Sequence, residues 1–211
     1  MSAFLFILFS YILGSLPFGL LVTRLTKDID IREHGSGNTG MTNVLRSAGI
    51  WPALVVLILD VGKGFLAVFL AINVYSSPSI EVLSGLAVLA GHNWSIFMKF
   101  QGGKGTATGF GVLCGLSPLT SIGVLVICIP ILGVFRYVSL GSIIGAISSF
   151  CIMLILALFG TTPQLSVTSL IYLLYPCFGA QMILFKHRGN ISRLLNGTEP
   201  KLGGTAKARI H

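Results

Sequence analysis

The sequence predicts an all-α polytopic membrane protein: a seven-helix transmembrane bundle, N-terminus outside and C-terminus cytoplasmic, with a short cytoplasmic surface helix near the C-terminus. Three observations carry this. Of the 211 residues 54% are apolar and only 9% are charged, against roughly 25% charged in a soluble domain, and the mean hydropathy is +0.90. The apolar residues form runs long enough to cross ~30 Å of hydrocarbon. The basic residues, which give a net charge of +8, collect between alternate runs, as they do in cytoplasmic loops. Such an excess suits anionic lipid headgroups. Nucleic acid is not expected as a partner, because the basic residues are dispersed between spans. Cys114, Cys128, Cys151 and Cys177 all lie inside apolar runs without metal-ligand spacing and read as inert thiols.

The elements follow in order. About residues 3–23 form a first span. It lacks the basic flank of a cleavable signal peptide, and Pro17 within Gly14-Ser15-Leu16-Pro17-Phe18-Gly19 should kink it. A polar segment runs from Arg24 through Arg46. About residues 51–73 form a second span carrying Asp60 and Lys63, an i,i+3 pair that can meet on one helix face. Charges inside a span are normally paired or turned to a polar interior. The pair is therefore either a structural ion pair or a device that places Lys63 near an anion. About residues 81–98 form the third span. The apolar run over about 106–135 is too long for one span, and Ser117-Pro118 divides it into a short helix and a longer one. Spans over about 139–160 and 165–185 follow.

Charge decides that division. Lys186, Arg188, Arg193, Lys201, Lys207 and Arg209 follow the last span and mark the cytoplasmic side. Counting back puts Arg136 there too. The first two basic loops join that side only if the long run is two helices. The opposite turns, near 73–80, 117–118 and 160–164, contain no Lys or Arg. Residues 1–199 then make one transmembrane domain, and 200–211 a polar tail.

Every polar motif falls at the cytoplasmic face. The first is Gly35-Ser36-Gly37-Asn38-Thr39-Gly40-Met41-Thr42-Asn43-Val44-Leu45-Arg46. Its glycines allow tight turns and leave N–H groups uncovered. Ser36, Asn38, Thr42 and Asn43 add small hydrogen-bonding groups, and Arg46 adds a planar cation that fits an oxyanion. The G-x-G-x-x-G spacing is not a dinucleotide fingerprint, because no strand of a βαβ unit precedes it. The second motif is Phe100-Gln101-Gly102-Gly103-Lys104-Gly105-Thr106, a glycine loop around an ammonium. It fails the P-loop pattern at Met98 and at Gly105. His92 ends the helix before it, either as a ligand contact or as a hydrogen bond to the loop. The third motif runs from His187 to Glu199. Ile191, Leu194 and Leu195 give it an apolar face at helical spacing, Gly197 fits a C-cap, and His187 and Asn190 share one side. Arg136, Ser139 and Ser142 lie at the same end.

These residues suit a substrate carrying phosphate. The near-absence of carboxylates leaves no cluster for Mg²⁺ chemistry, and neither a Ser-His-Asp arrangement nor a G-x-S-x-G elbow is present. These absences argue against a kinase, an ATPase and a serine hydrolase, and neither metal nor cofactor is expected.

Gly35-Ser36-Gly37-Asn38…Gly40…Thr42-Asn43…Arg46, then Gly91-His92…Phe97…Phe100…Gly102-Gly103-Lys104-Gly105, then His187-Arg188…Asn190-Ile191…Arg193-Leu194…Gly197…Glu199 resemble, in order, the motifs of the bacterial acyl-phosphate:glycerol-3-phosphate acyltransferases (PlsY). Asp60…Lys63-Gly64 also fits. The resemblance covers the chain up to Glu199. It implies transfer of an acyl group from acyl phosphate to the 1-hydroxyl of glycerol 3-phosphate. The products are lysophosphatidic acid and inorganic phosphate, in the first acylation of phospholipid synthesis at the bacterial inner membrane. An acyl-phosphate-producing enzyme becomes a candidate partner. Other glycerol-phosphate acyltransferases use H-x-x-x-x-D as a base. Here Thr39, Phe97 and Ser192 stand at that spacing from His34, His92 and His187, which favours acyl phosphate over acyl-CoA or acyl carrier protein.

On this reading Ser36, Arg46, Lys104, Ser142 and His187 hold the phosphoryl group and Asn190 orients the attacking hydroxyl. A substrate phosphate oxygen takes the proton, with no acyl-enzyme. Asn38, Thr42, Asn43, Arg188 and Arg193 are candidates for the glycerol-phosphate pocket, with Gly35, Gly37, Gly40, Gly102 and Gly103 as further substrate contacts. The acyl tail lies between helices. A transporter of organic phosphate is the alternative from another class, and it predicts broken helices with polar groups at mid-bilayer. A non-catalytic membrane anchor leaves the glycine loops unexplained.

Overall fold

The computed structural model describes residues 2–159 and 167–203, and all its regular elements among these are helical. The first apolar run is two helices, α1 (Ala3–Ser15) and α2 (Phe18–Lys27), broken at Leu16-Pro17. The kink expected at Pro17 is thus a full interruption, as follows where proline removes a donor and restricts the residue before it. The polar segment contains a 3-10 turn (Ile31–Glu33) and an amphipathic helix α3 (Met41–Ala48), which the sequence analysis left as loop. Then come α4 (Ile50–Tyr75), α5 (Pro78–Asn93), α6 (Thr106–Leu116) and α7 (Pro118–Phe135). The third span ends as a helix at Asn93, and a 3-10 turn, Ile96–Met98, completes it. The division at Ser117-Pro118 is as expected. Ser117 caps α7 by accepting from the Thr120 N–H, and Pro118 occupies the first turn. α8 (Val138–Leu158), a 3-10 stretch (Val167–Leu173), α9 (Leu174–Lys186) and α10 (Arg188–Leu195) complete the order. The turn expected near 160–164 and the tail after 203 lie outside the described residues.

Five segments are long and apolar enough to cross a membrane: Ala3–Lys27, Ile50–Tyr75, Pro78–Met98, Pro118–Phe135 and Val138–Leu158. Thr106–Leu116 and Leu170–Lys186 are shorter apolar helices. The protein is a multi-pass, all-helical membrane protein, and large apolar side chains such as Phe4, Ile58 and Val126 cover its outside.

Small residues set the packing. α1 lies along α5, where Gly14 abuts the Val88 carbonyl and Gly91 the Tyr11 carbonyl. α4 lies along α6, where Gly64 meets Thr108 and Gly111 meets Val61. Helices inside a bilayer gain from such backbone approach because no hydrophobic effect drives them together. A core of Val68, Val88, Val112 and Met153 fills the bundle. A second cluster anchors the polar segment: Ile31 and Val44 are fully buried against Ala53 and Val56 of α4.

Candidate active site

The first loop is built by Asn43. Its Nδ2 donates to the carbonyls of Ile31, His34 and Asn38 at 3.3, 2.9 and 2.9 Å, and its Oδ1 accepts from the Ser36 N–H at 2.8 Å. Asn38 Oδ1 accepts from the Gly40 N–H, and the Gly37 N–H donates to His34. Gly35 holds a φ of +59°, and a Cβ there would strike Asn43 Oδ1. The loop therefore spends the amides of Asn43 and Asn38 on its own shape. The Ser36 and Thr42 hydroxyls make no hydrogen bond among the described residues.

The second loop is closed in the same way. The Gly102 N–H donates to Asn93 and the Gly103 N–H to His92, at 3.2 and 2.9 Å. A Cβ at Gly102 would meet the His92 carbonyl, and one at Gly103 the His92 ring. The sequence suggested that these N–H groups would face an anion. Those of Ser36, Gly37, Gly40, Gly102 and Gly103 are instead used within the chain, and what Gly102 and Gly103 supply is close approach. Side chains must then make the cradle.

Those side chains converge. The Lys104 Nζ donates to Asn190 Oδ1 at 2.6 Å. Asn190 Nδ2 donates to Glu199 Oε1 at 2.7 Å, Ser139 Oγ donates to the same oxygen at 2.6 Å, and Arg193 Nε donates to Oε2 at 2.8 Å. Glu199 is buried at the hub of this network. It is carried there by a turn after α10 in which the Gly197 N–H donates to Leu194 and the Thr198 N–H to Arg193, the double bond of a Schellman motif. The chain then runs back as a strap. Arg46 Nη2 donates to the Pro200 carbonyl at 3.3 Å, which ties the first loop to the strap. Arg136 Nη2 donates to the Leu202 carbonyl at 2.9 Å and its own carbonyl accepts the Leu202 N–H at 2.6 Å. Ser142 Oγ, one turn along α8 from Ser139, donates to Val138. Arg188 lies over the Phe185 ring, 4.6 Å from its centroid.

The electrostatics follow from burial and crowding. Burial, with Arg193, Arg46 and Lys186 nearby, outweighs Glu199 and lowers the Lys104 ammonium to about 8. Burial lowers His187 to about 4, assisted by Lys104 and opposed by the Ile183 carbonyl. The sequence analysis weighed His187 as a further cation if protonated; in the structure it is neutral at pH 7. Its Nδ1 lies 2.9 Å from the Ile183 carbonyl, so Nδ1 carries the proton and Nε2 is left as an acceptor. Burial alone would raise Glu199, but its hydrogen bonds from Ser139, Asn190 and Arg193 prevail and keep it ionised.

The structure thus unites Lys104, Asn190, Arg193 and Glu199 directly and Arg46 through the strap. Glu199 as organiser was missed by the sequence analysis. The signal was a lone acid after the Asn196-Gly197 turn in a basic segment. Asn93, beneath Gly105, is fully buried with no side-chain partner among the described residues. Among the described residues no group of three His, Cys, Asp or Glu is placed to hold a metal.

Known proteins are similar to this chain in sequence and in fold. The family model described as glycerol-3-phosphate acyltransferase matches residues 4–197. A glycerol-3-phosphate acyltransferase of Parasynechococcus marenigrum is 44% identical over 98% of this chain and 92% of its own. One of Thermoanaerobacter pseudethanolicus is 41% identical over 96% and 97%. The crystal structure of PlsY, an integral membrane glycerol 3-phosphate acyltransferase, superposes in its glycerol 3-phosphate form with a TM-score of 0.85, at 36% identity and 96% coverage of both chains. A lysophosphatidic acid form gives 0.83 at 35% identity, covering 95% of both. With residues 4–197 matched by the family model and relatives above 40% identical over nearly its whole length, the chain belongs to the glycerol-3-phosphate acyltransferase family.

Proposed function

We propose that the protein transfers an acyl group from acyl phosphate to the 1-hydroxyl of glycerol 3-phosphate at the cytoplasmic face of the bacterial inner membrane. It does so as a seven-span bundle with its N-terminus outside. The observation that carries this is the convergence of Lys104, Asn190, Arg193 and the Arg46 strap at one end of the bundle. Such a cluster of cations, whose one central carboxylate is already held by Ser139, Asn190 and Arg193, suits two phosphates, and the apolar helices around it suit a lipid-soluble chain. The names of the relatives support glycerol 3-phosphate as acceptor.

Acyl phosphate is already activated, so the protein needs chiefly to neutralise anions and position the hydroxyl. Positioning lowers such barriers by ~7–11 kcal/mol, and one well-placed donor adds about 3 kcal/mol. In our reading Lys104, Arg46, Ser36 and Ser142 hold the acyl-phosphate phosphoryl group. Arg193, Arg188 and Thr42 take the glycerol phosphate, and Asn38 and Asn43 shape the loop that presents them. Asn190 Oδ1, which has a second lone pair, and the free Nε2 of His187 orient the hydroxyl. Its oxygen forms the new bond to the acyl carbon as the bond from that carbon to the phosphate oxygen breaks. The proton passes to the departing phosphate, and no acyl-enzyme forms.

A transporter has the buried Asp60, Lys63 and His92 in its favour. The cleft beside them, about 10 Å³, has room for roughly one water, which favours the enzyme. The test is to mix purified protein with acyl phosphate and glycerol 3-phosphate and measure phosphate release. Release that depends on glycerol 3-phosphate, and no product from acyl-CoA, supports the reading. A covalent acyl group trapped on a serine or cysteine overturns the direct transfer.

A further inference from the structure

Asp60 and Lys63 on α4 and His92 on α5 form a charged cluster inside the bundle that the transfer chemistry does not use. Their side chains are 3%, 2% and 7% exposed. Lys63 Nζ lies 2.8 Å from Asp60 Oδ1, and His92 Nδ1 lies 3.5 Å from the same oxygen. Ionisable groups in a membrane span mark function by default. Stability alone does not account for them, because replacing a buried ion pair with packed apolar side chains is often neutral or stabilising. What such a pair supplies is one defined arrangement.

The cluster reaches both loops. Lys63 Nζ also donates to the Leu16 carbonyl at 3.0 Å and stands over the Phe18 ring, so it fastens both sides of the break between α1 and α2. That break aims α2, whose Gly19 rests directly on the Thr39 carbonyl of the first loop. On the other side the His92 carbonyl receives the Gly103 N–H, and the His92 ring is packed so closely under Gly103 that no Cβ fits between them. Lys104 is the next residue. Thr39 and Gly102, one from each loop, line the same small cleft with Asp60 and His92.

We propose that Asp60 and Lys63 are positioning residues that register the Lys104 loop against the Gly35–Arg46 loop. Lys63 acts through the Leu16 carbonyl and Asp60 acts through His92. The inference rests on the acyl-transfer reading above. A displacement of about 1 Å in such a constellation lowers turnover by up to roughly 100-fold, so the effect belongs in kcat.

The decisive variant is Asp60→Asn with Lys63→Met, which removes both charges and leaves neither orphaned. Expected are a thermal midpoint close to wild type, a kcat lowered about 10- to 100-fold and a nearly unchanged KM for glycerol 3-phosphate. Hydrogen exchange at the Gly102 and Gly103 amides should be faster. A wild-type kcat in the folded double variant overturns the proposal. Should the double variant not fold, His92→Phe keeps a ring beneath Gly103 and cuts the link to Asp60. It should lose kcat similarly, and full activity with unchanged exchange overturns the proposal. Wild-type protein that releases no phosphate from acyl phosphate defeats the transfer reading instead, and the exchange comparison still tests the registration of the loops.

Discussion

Lys104 and Asn190 are 86 residues apart in the chain, and the ammonium of one lies 2.6 Å from the carboxamide oxygen of the other. This contact fuses the second and third motifs into one site. Lys104→Ala should therefore remove a charge that both motifs use. Turnover should fall about 100- to 1000-fold while the protein still inserts and purifies. Near-normal phosphate release from Lys104→Ala would remove it from the site.

The same ammonium sets a pH limit. Burial and its cationic neighbours hold it at about 8. It is charged below that pH and loses its proton as pH rises through it, so the anion loses its partner on the alkaline side. A profile of kcat/KM should be level near pH 7 and should decline above about pH 8. In Lys104→Arg the decline should vanish from the accessible range, because guanidinium does not titrate there. A decline that survives Lys104→Arg would assign the titration to another group.

Glu199 holds Ser139, Asn190 and Arg193 at once. Glu199→Gln keeps the volume but loses the charge that the guanidinium and amide face. The expected loss is about 3 kcal/mol of stability, visible as a lower thermal midpoint in detergent. Activity should fall with it, since Gln replaces one acceptor oxygen by a donor, and either Arg193 or the Asn190–Ser139 pair then faces an N–H. The sign with pH follows. The native carboxyl sits below its usual value, so its contribution is present near neutrality and disappears as pH falls through that depressed native value. Glu199→Gln should show a smaller loss of stability on acidification than wild type.

Two glycine substitutions should separate packing from composition. A Cβ at Gly102 would collide with the backbone carbonyl of His92, which cannot swing aside. A Cβ at Gly62, on α4, meets nothing within 4 Å. Gly62→Ala should leave kcat/KM unchanged, whereas Gly102→Ala should lower it about tenfold or more by shifting the loop. Equal behaviour of the two variants in the phosphate-release assay would contradict the close docking of that loop on α5.

Much of the architecture could be read from pattern. Ser117-Pro118 ends one helix and starts the next because hydroxyl and ring both suit a first turn, and the sequence displays both. α3 was missed because its apolar residues, Met41, Val44, Leu45 and Ala48, are interleaved with polar ones that look like a binding loop; only the burial of Val44 on α4 reveals the helix. In the site, residue types that bind phosphate could be named from chemistry, but not where their hydrogen bonds go. Asn43 shows the limit. Its side chain reads as a ligand contact in one dimension and proves to brace its own loop in three. Glu199 shows the converse, since an acid beside cations looks like surface until a turn at Gly197 carries it inside.

The strap has a consequence for how the protein is made. Glu199, Pro200 and Leu202 complete the network, and among the described residues they follow all the apolar segments long enough to cross a membrane. The network at the site is therefore completed only by residues made after those segments. The contacts that close the network thus come last in the chain, after the helices that carry their partners.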